Sequence, residues 1–292
     1  MRNALSEYPH MQCTIERSVH LSGKGLFTGK AVSLSLHPQE ENVGIVFRRN
    51  DLPNAPLIPA HFRYVSSTFR STRLQNEEAD VLMVEHLLSA LHAFAIDNVE
   101  IVIDAEEIPC GDGSAKIFVD LLKKAGQIKQ TACRKIRKLK QPVYWSDGNA
   151  HLVAFPADTL KLSYTLHYPK SALLQAQYHE YTLDPSSYVE EIAPARTFAL
   201  YEEVEPLMQK GLLQKASLEN GILIKEDAVC NPEGLRFANE MARHKILDLI
   251  GDMTLTGFAL HAHILAVRSG HKAHVAFAKI LHDSMEMAGC PL

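Results

Sequence analysis

The sequence predicts an α+β protein made of two domains of similar architecture. Three observations lead there. The chain has 292 residues, enough for two domains of ordinary size. Each half runs through β-type segments, then a helical segment, a further β-type segment and a last helical one. The helical segments that carry paired histidine and acidic residues come from different halves, which points to a site between the domains.

The elements follow in chain order. Residues 31–36 alternate apolar and polar like a half-buried strand, and residues 43–47 read as another. Residues 80–94 carry Val81, Val84, Leu87, Leu88 and Leu91 at helical spacing. Residues 99–104 are β-branched and predict a buried strand. A helix is expected over residues 115–124, with Ser114 as its N-cap and Gly126 as its stop. Residues 129–140 are basic without an apolar period and read as a linker, so the domains divide as 1–130 and 131–292. The second half opens with strands at 142–145, 152–155 and 161–167. A helix is expected over 234–250, a strand over 259–267 and a final helix over 272–287.

Composition narrows the function. Hydrophobic residues make up 46% and charged residues 22%, with a formal net charge of −4, as in ordinary soluble domains. No basic excess points to nucleic acid. Residues 1–16 lack the apolar core of a signal peptide, and no apolar run reaches the roughly 20 residues of a membrane span. The five cysteines are scattered without CxxC spacing, which predicts free thiols in a reducing cytoplasm and argues against a cysteine-ligated metal.

The strongest chemical signal is His244 and Asp248 inside an apolar run. At i and i+4 both side chains reach one point, where an imidazole and a carboxylate can hold a divalent ion. The bland alternative is an exposed pair giving slight helix support, but the flanking Ile246, Leu247, Leu249 and Ile250 predict burial, and a buried aspartate needs a partner. Upstream, Glu85 adjoins His86. Alone that pair is ordinary, since a glutamate in a first turn answers the helix dipole. In combination, two histidines and an aspartate leave a fourth position open for water, and the adjacent carboxylate can take its proton.

Asp252 lies four residues past Asp248 and reads either as a turn residue after Gly251 or as the orienter of a histidine. Ser269-Gly270-His271 would project that histidine from a loop beside a strand end. Thr197 is either a plain strand residue or a donor to a developing oxyanion.

Five blocks occur in one order: VEHLLSAL at 84–91, IDNVEIVID with EIP and DGSA within 96–115, ARTF at 195–198, GLRFANEMARHKILDLIGD at 234–252 and SGH at 269–271. Together they resemble the UDP-3-O-acyl-N-acetylglucosamine deacetylases, the zinc amidases of lipid A biosynthesis, over roughly residues 13–281. The resemblance implies two domains, each a small β-sheet packed against a helix layer, with the active site between them. It implies His86, His244 and Asp248 as zinc ligands, although a His2Asp set also binds iron. It implies Glu85 as general base, His271 as acid or cationic stabiliser, Asp252 as the partner of His271, and Thr197 as oxyanion donor. Lys245 and Phe198 would contact the sugar.

An insert around 197–224 would hold the acyl chain through Val204, Leu213, Leu218 and Leu223, with Leu26 and Phe198 beside them. The implied substrate is an acylated UDP-sugar. A cytoplasmic monomer is expected, with peripheral contact at the inner membrane compatible with an amphipathic product. Two departures stand out. Phe27 replaces the histidine of the usual GLHTG motif, and Lys215 and Ala216 replace two glycines before Ser217. They leave two alternatives to weigh: a zinc amidohydrolase for another acetamido sugar or amide, and an inactive relative that only binds.

Overall fold

A computed structural model describes residues 10–209 and 217–287. The first half runs β1 (Met11–Ile15), β2 (Val19–Lys24), β3 (Ala31–Pro38), β4 (Ile45–Arg49), β5 (Leu57–Pro59), β6 (Val65–Ser67), β7 (Arg73–Asn76) and β8 (Ala79–Leu82). Then come α1 (Glu85–Ala93), β9 (Val99–Ile103), α2 (Lys116–Ala125) and β10 (Gln127–Cys133). Five strands form a sheet in the order β2-β3-β9-β4-β5, and β6-β7-β8 form a smaller one. In β3, Val32, Leu34 and Leu36 are buried while their neighbours are not, the pattern of a sheet with one covered face.

The second half continues with β11 (Ile136–Lys138), β12 (Val143–Asp147), β13 (Ala150–Pro156), β14 (Lys161–Tyr168), β15 (Gln175–Thr182) and the single turn α3 (Pro185–Ser187). One π-helical turn over Tyr188–Ile192 follows. Next are β16 (Phe198–Leu200), α4 (Tyr201–Gln209), β17 (Ile222–Lys225) and β18 (Ala228–Val229), then α5 (Glu240–Thr254), β19 (Ala259–Val267), α6 (His271–Ser284) and β20 (Glu286–Met287). Seven strands form one sheet around β19, which pairs with β11, β13 and β14. β16 and β17 pair in parallel across α4, so the expected insert is a small βαβ unit.

Several expectations need correction. The helix foreseen from residue 80 begins at Glu85, because residues 79–82 are strand and Met83, at φ 63°, turns the chain. The foreseen linker is two strands: β10 pairs with β1, and β11 with β19. A charge run hid them because only Ile136 and few neighbours are buried there. The helix foreseen from 234 begins at Glu240; Gly234, at φ 69°, and the turn after it are held by Arg196, whose Nη2 donates to the Gly234 carbonyl (2.7 Å). That helix runs on to Thr254, so Asp252 lies in its last turn rather than in a turn that follows the helix. His271 is the first residue of α6, not a loop residue, and the helix stops at Ser284. The N-cap of α2 is Ala115, although the Ser114 hydroxyl still accepts from Lys116 N–H (3.2 Å). Cys13, Cys110 and Cys230 are free thiols, but Cys133 is in a disulfide, a pairing that residue spacing does not reveal.

The two halves meet where α1 packs on α5. All nine residues of α1 are buried, and so are thirteen of the fifteen in α5. A Cβ on Gly251 would lie 2.0 Å from the Glu85 carbonyl oxygen, so only glycine lets the start of α1 approach α5 this closely.

Candidate active site

This contact places His86 opposite His244 and Asp248. Nε2 of His244 lies 3.3 Å from Asp248 Oδ1, and Nε2 of His86 lies 3.6 Å from the same oxygen. The two imidazoles stand edge to face with centroids 5.0 Å apart. Donors spaced around one tetrahedral ion at ordinary metal–ligand distances would sit ~3.4 Å apart. Asp248 Oδ1 is buried and accepts no hydrogen bond among the described residues. An orphaned carboxylate oxygen is costly unless something cationic completes it. These residues fit a divalent metal ion.

Their protonation states fit too. His244 Nδ1 lies 3.1 Å from the Ala195 carbonyl, which can only accept, so Nδ1 carries the hydrogen and Nε2 is left bare. Burial pulls the His244 pKa down to about 3, which keeps the ring neutral. Burial alone would raise Asp248, but the Lys245 ammonium beside it holds it well below the ordinary carboxylate range. Lys245 Nζ donates to Asp248 Oδ2 (2.9 Å) and lies 5.6 Å from the Phe198 ring centroid.

One turn further along α5, Asp252 anchors a different cluster. Its Oδ2 accepts from Nδ1 of His271 and Nδ1 of His274, both at 2.8 Å, and its Oδ1 accepts from Thr72 Oγ1 (2.6 Å). The Ser269 hydroxyl meets His274 Nε2 at 2.9 Å. These separations are hydrogen bonds, shorter than the spacing between two ligands of one ion. The second cluster is therefore a hydrogen-bonded network rather than a set of donors spaced around one ion. Burial opposes charge on both partners, yet their mutual attraction prevails: His271 is pushed up to about 9 and Asp252 down to about 2. His271 Nε2 points toward Glu85, 3.8 Å from its Oε1. Glu85 Oε2 accepts from Thr72 N–H (3.0 Å), and burial raises the Glu85 pKa. Thr72 and His274 were not singled out in the sequence; His274 follows His271 at the i,i+3 spacing that could have marked it, whereas Thr72 belongs to no such pattern.

Thr197 is fixed by its backbone. Its N–H donates to the Gly113 carbonyl (2.8 Å) and its carbonyl accepts from Ile222 N–H (2.7 Å). Gly113 has φ 83°, and a Cβ there would meet the Asn220 carbonyl oxygen at 2.4 Å. The Gly-Asp-Gly-Ser turn thus serves as the place where the first half grips the insert. Next to Thr197, buried Arg196 donates from Nε to Glu240 Oε1 (2.9 Å) and from Nη1 to Glu233 Oε1 (2.5 Å), tying this strand to the start of α5.

Beside Thr197 lies a cavity of about 250 Å³. Leu26, Phe198, Val204, Leu218 and Leu223 all line it, together with Phe27. Leu213 lies outside the described residues, as do Lys215 and Ala216. Phe27 packs with Leu82, Met83 and Cys110, and its N–H donates to Glu107 Oε1 (2.8 Å). The departure at this position therefore adds apolar wall. Lys245 faces a second, more polar cleft of about 690 Å³ with Tyr164, Tyr168 and Arg268 in its lining. Phe198 stands between the two spaces, since its ring also meets Tyr168 at 6.0 Å. Among the described residues no helix is long and apolar enough to cross a membrane.

The family model for UDP-3-O-acyl N-acetylglycosamine deacetylase matches residues 12–283. The chain is 45% identical over 275 residues to the UDP-3-O-acyl-N-acetylglucosamine deacetylase of Chlamydia felis, covering 94% of this chain and 98% of that protein. It is 46% identical over 275 residues to the enzyme of that name from Chlamydia abortus, with the same coverage. For the Chlamydia trachomatis serovar L2 protein the identity is 43% over 275 residues, or 94% of this chain and 96% of the other.

Proposed function

The chain belongs to the UDP-3-O-acyl N-acetylglycosamine deacetylase family, and from that premise we propose how its own residues carry the reaction. It is a hydrolase of UDP-3-O-acyl-N-acetylglucosamine in lipid A biosynthesis, releasing the acetyl group from the sugar nitrogen. His86, His244 and Asp248 would hold the metal, which we read as zinc from a donor set of two imidazoles and one carboxylate. When bound there, such an ion would lower the pKa of a coordinated water toward ~7 and polarise the amide carbonyl. The observation that carries this reading is the orphaned Asp248 Oδ1, set at ligand spacing from both histidines.

Glu85 Oε1 takes the proton of the attacking water; its other oxygen is already occupied by Thr72 N–H. A carboxylate raised by burial is a better base than one free in water. His271, cationic below about pH 9, faces the same space and supplies positive charge and then a proton to the leaving amine. An amide nitrogen leaves poorly unless it is protonated. Thr197 is read as donor to the oxyanion that develops on the carbonyl. Lys245 and Phe198 bound the sugar, and the apolar cavity takes the acyl chain through Leu26, Val204, Leu218 and Leu223. We also infer that the domains divide between Cys133 and Ile136, where strand pairing passes from β1 to β19.

The test is acetate release from UDP-3-O-acyl-N-acetylglucosamine by purified protein, with chelator and with zinc restored. Chelator-sensitive turnover recovered by zinc is expected. Turnover indifferent to the chelator would remove the metal assignment. Bound zinc without turnover would shift the substrate to another acetamido compound.

A further inference from the structure

Thr72 sits between β6 and β7 and is 0% exposed. It makes two hydrogen bonds to acidic side chains from opposite halves of the molecule. Its N–H donates to Glu85 Oε2 (3.0 Å), and its hydroxyl donates to Asp252 Oδ1 (2.6 Å). The remaining oxygen of each carboxylate turns to one imidazole: Asp252 Oδ2 accepts from His271 Nδ1 (2.8 Å), and Glu85 Oε1 lies 3.8 Å from His271 Nε2. Thr72, Glu85, His271 and Asp252 thus close a ring across the seam between the halves.

We propose that Thr72 is a positioning residue for deacetylation, fixing the proton-accepting carboxylate and the proton-donating imidazole relative to each other. This rests on the assignment of Glu85 and His271 as base and acid. A buried threonine that merely satisfies its own hydroxyl needs one acceptor of any kind. Here both donors of one residue reach the two carboxylates that flank His271. Tying Oε2 leaves Oε1 of Glu85 as the free basic oxygen. Tying Oδ1 of Asp252 stops that carboxylate from rotating away from His271. Bonds to ionised acceptors are stronger and more directional than neutral ones, so they suit this task. Small misplacements of reacting groups cost as much as ~10²-fold in rate.

The test compares Thr72→Val, which keeps the backbone N–H but deletes the hydroxyl, with Thr72→Ser, which keeps both donors. kcat, KM and metal per chain are measured for each, beside Glu85→Ala and His271→Ala. For Thr72→Val we expect kcat to fall by about 10- to 100-fold, with KM within about two-fold and metal unchanged. Thr72→Ser should lie within about three-fold of the starting enzyme, and adding Thr72→Val to His271→Ala should cost less than about two-fold more. Wild-type kcat in Thr72→Val overturns the proposal. So does a loss that persists undiminished in the His271→Ala background, which marks a purely structural role. If Thr72→Val does not fold, Thr72→Ala is read by the same criteria. Should Glu85→Ala and His271→Ala keep full turnover, the acid–base assignment itself fails, a result distinct from failure of Thr72 alone.

Discussion

Two clusters of histidine and aspartate lie one helical turn apart on α5, and they are built for opposite purposes. Around Asp248 the donor atoms stand 3.3 and 3.6 Å apart and one carboxylate oxygen is left without a hydrogen bond among the described residues. Around Asp252 the imidazole nitrogens come to 2.8 Å and both oxygens accept hydrogen bonds. The residue types are the same in both. Spacing and satisfaction separate a place that needs a cation from a place that already holds its protons.

That contrast can be broken most forcefully at its two aspartates. Asp248→Ala should abolish turnover and reduce bound metal to near zero, as elemental analysis would read. Asp252→Asn should keep about one metal per chain; equal metal loss in both would mean the clusters are not distinct in kind. Next in size, Glu85→Ala should lower kcat by about 10²–10⁴-fold while retaining metal. Metal loss in parallel with activity would remove its role as base.

The hydrogen-bonded network around Asp252 has a pH signature. His271 gains its proton as pH falls below about 9 and loses it above, so turnover should fall as pH rises through about 9. Burial opposes that charge, and Asp252 is the foremost group restoring it. In Asp252→Asn the basic limb of the kcat profile should therefore move to lower pH. An unmoved limb would show that another group sets it.

Gly251 tests whether the clusters depend on one helix contact. Gly251→Ala forces a Cβ against the Glu85 carbonyl and should cost about 1–3 kcal/mol of stability, with weakened metal affinity. A thermal unfolding midpoint equal to that of the unchanged protein would contradict the packing argument. The smallest effect is expected away from both clusters. Val204→Trp should fill the apolar cavity proposed for the acyl chain and raise KM for long-chain substrate by about ten-fold, with little change in kcat on a short-chain analogue. Equal effects on both substrates would place the acyl chain elsewhere.

Much of this was legible in the residues. The strand over Ala259–Val267 and the strands β12, β13 and β14 of its sheet follow from local sequence, whereas the edge strand β15 does not. His244, Asp248 and Asp252 fall on one face by helical spacing alone. The linker reading failed because β10 is an exposed strand whose partner, β1, lies over a hundred residues away, and periodicity reports burial rather than pairing. The start of α5 was placed too early because Gly234 and the Arg196–Glu240 contacts terminate a pattern that looked continuous.

The sequence by itself determined which residue types can do the chemistry and, through their order, which family the chain resembles. Local spacing is enough for that, because i and i+4 neighbours meet on any helix. Only the tertiary structure decided that His86 reaches Asp248 from the other half. It also decided that one carboxylate is orphaned while the next is saturated, and that Thr72 bridges both acids. Those facts depend on how closely two buried helices approach, and that distance is set by a missing side chain at Gly251, not by any residue of the site itself.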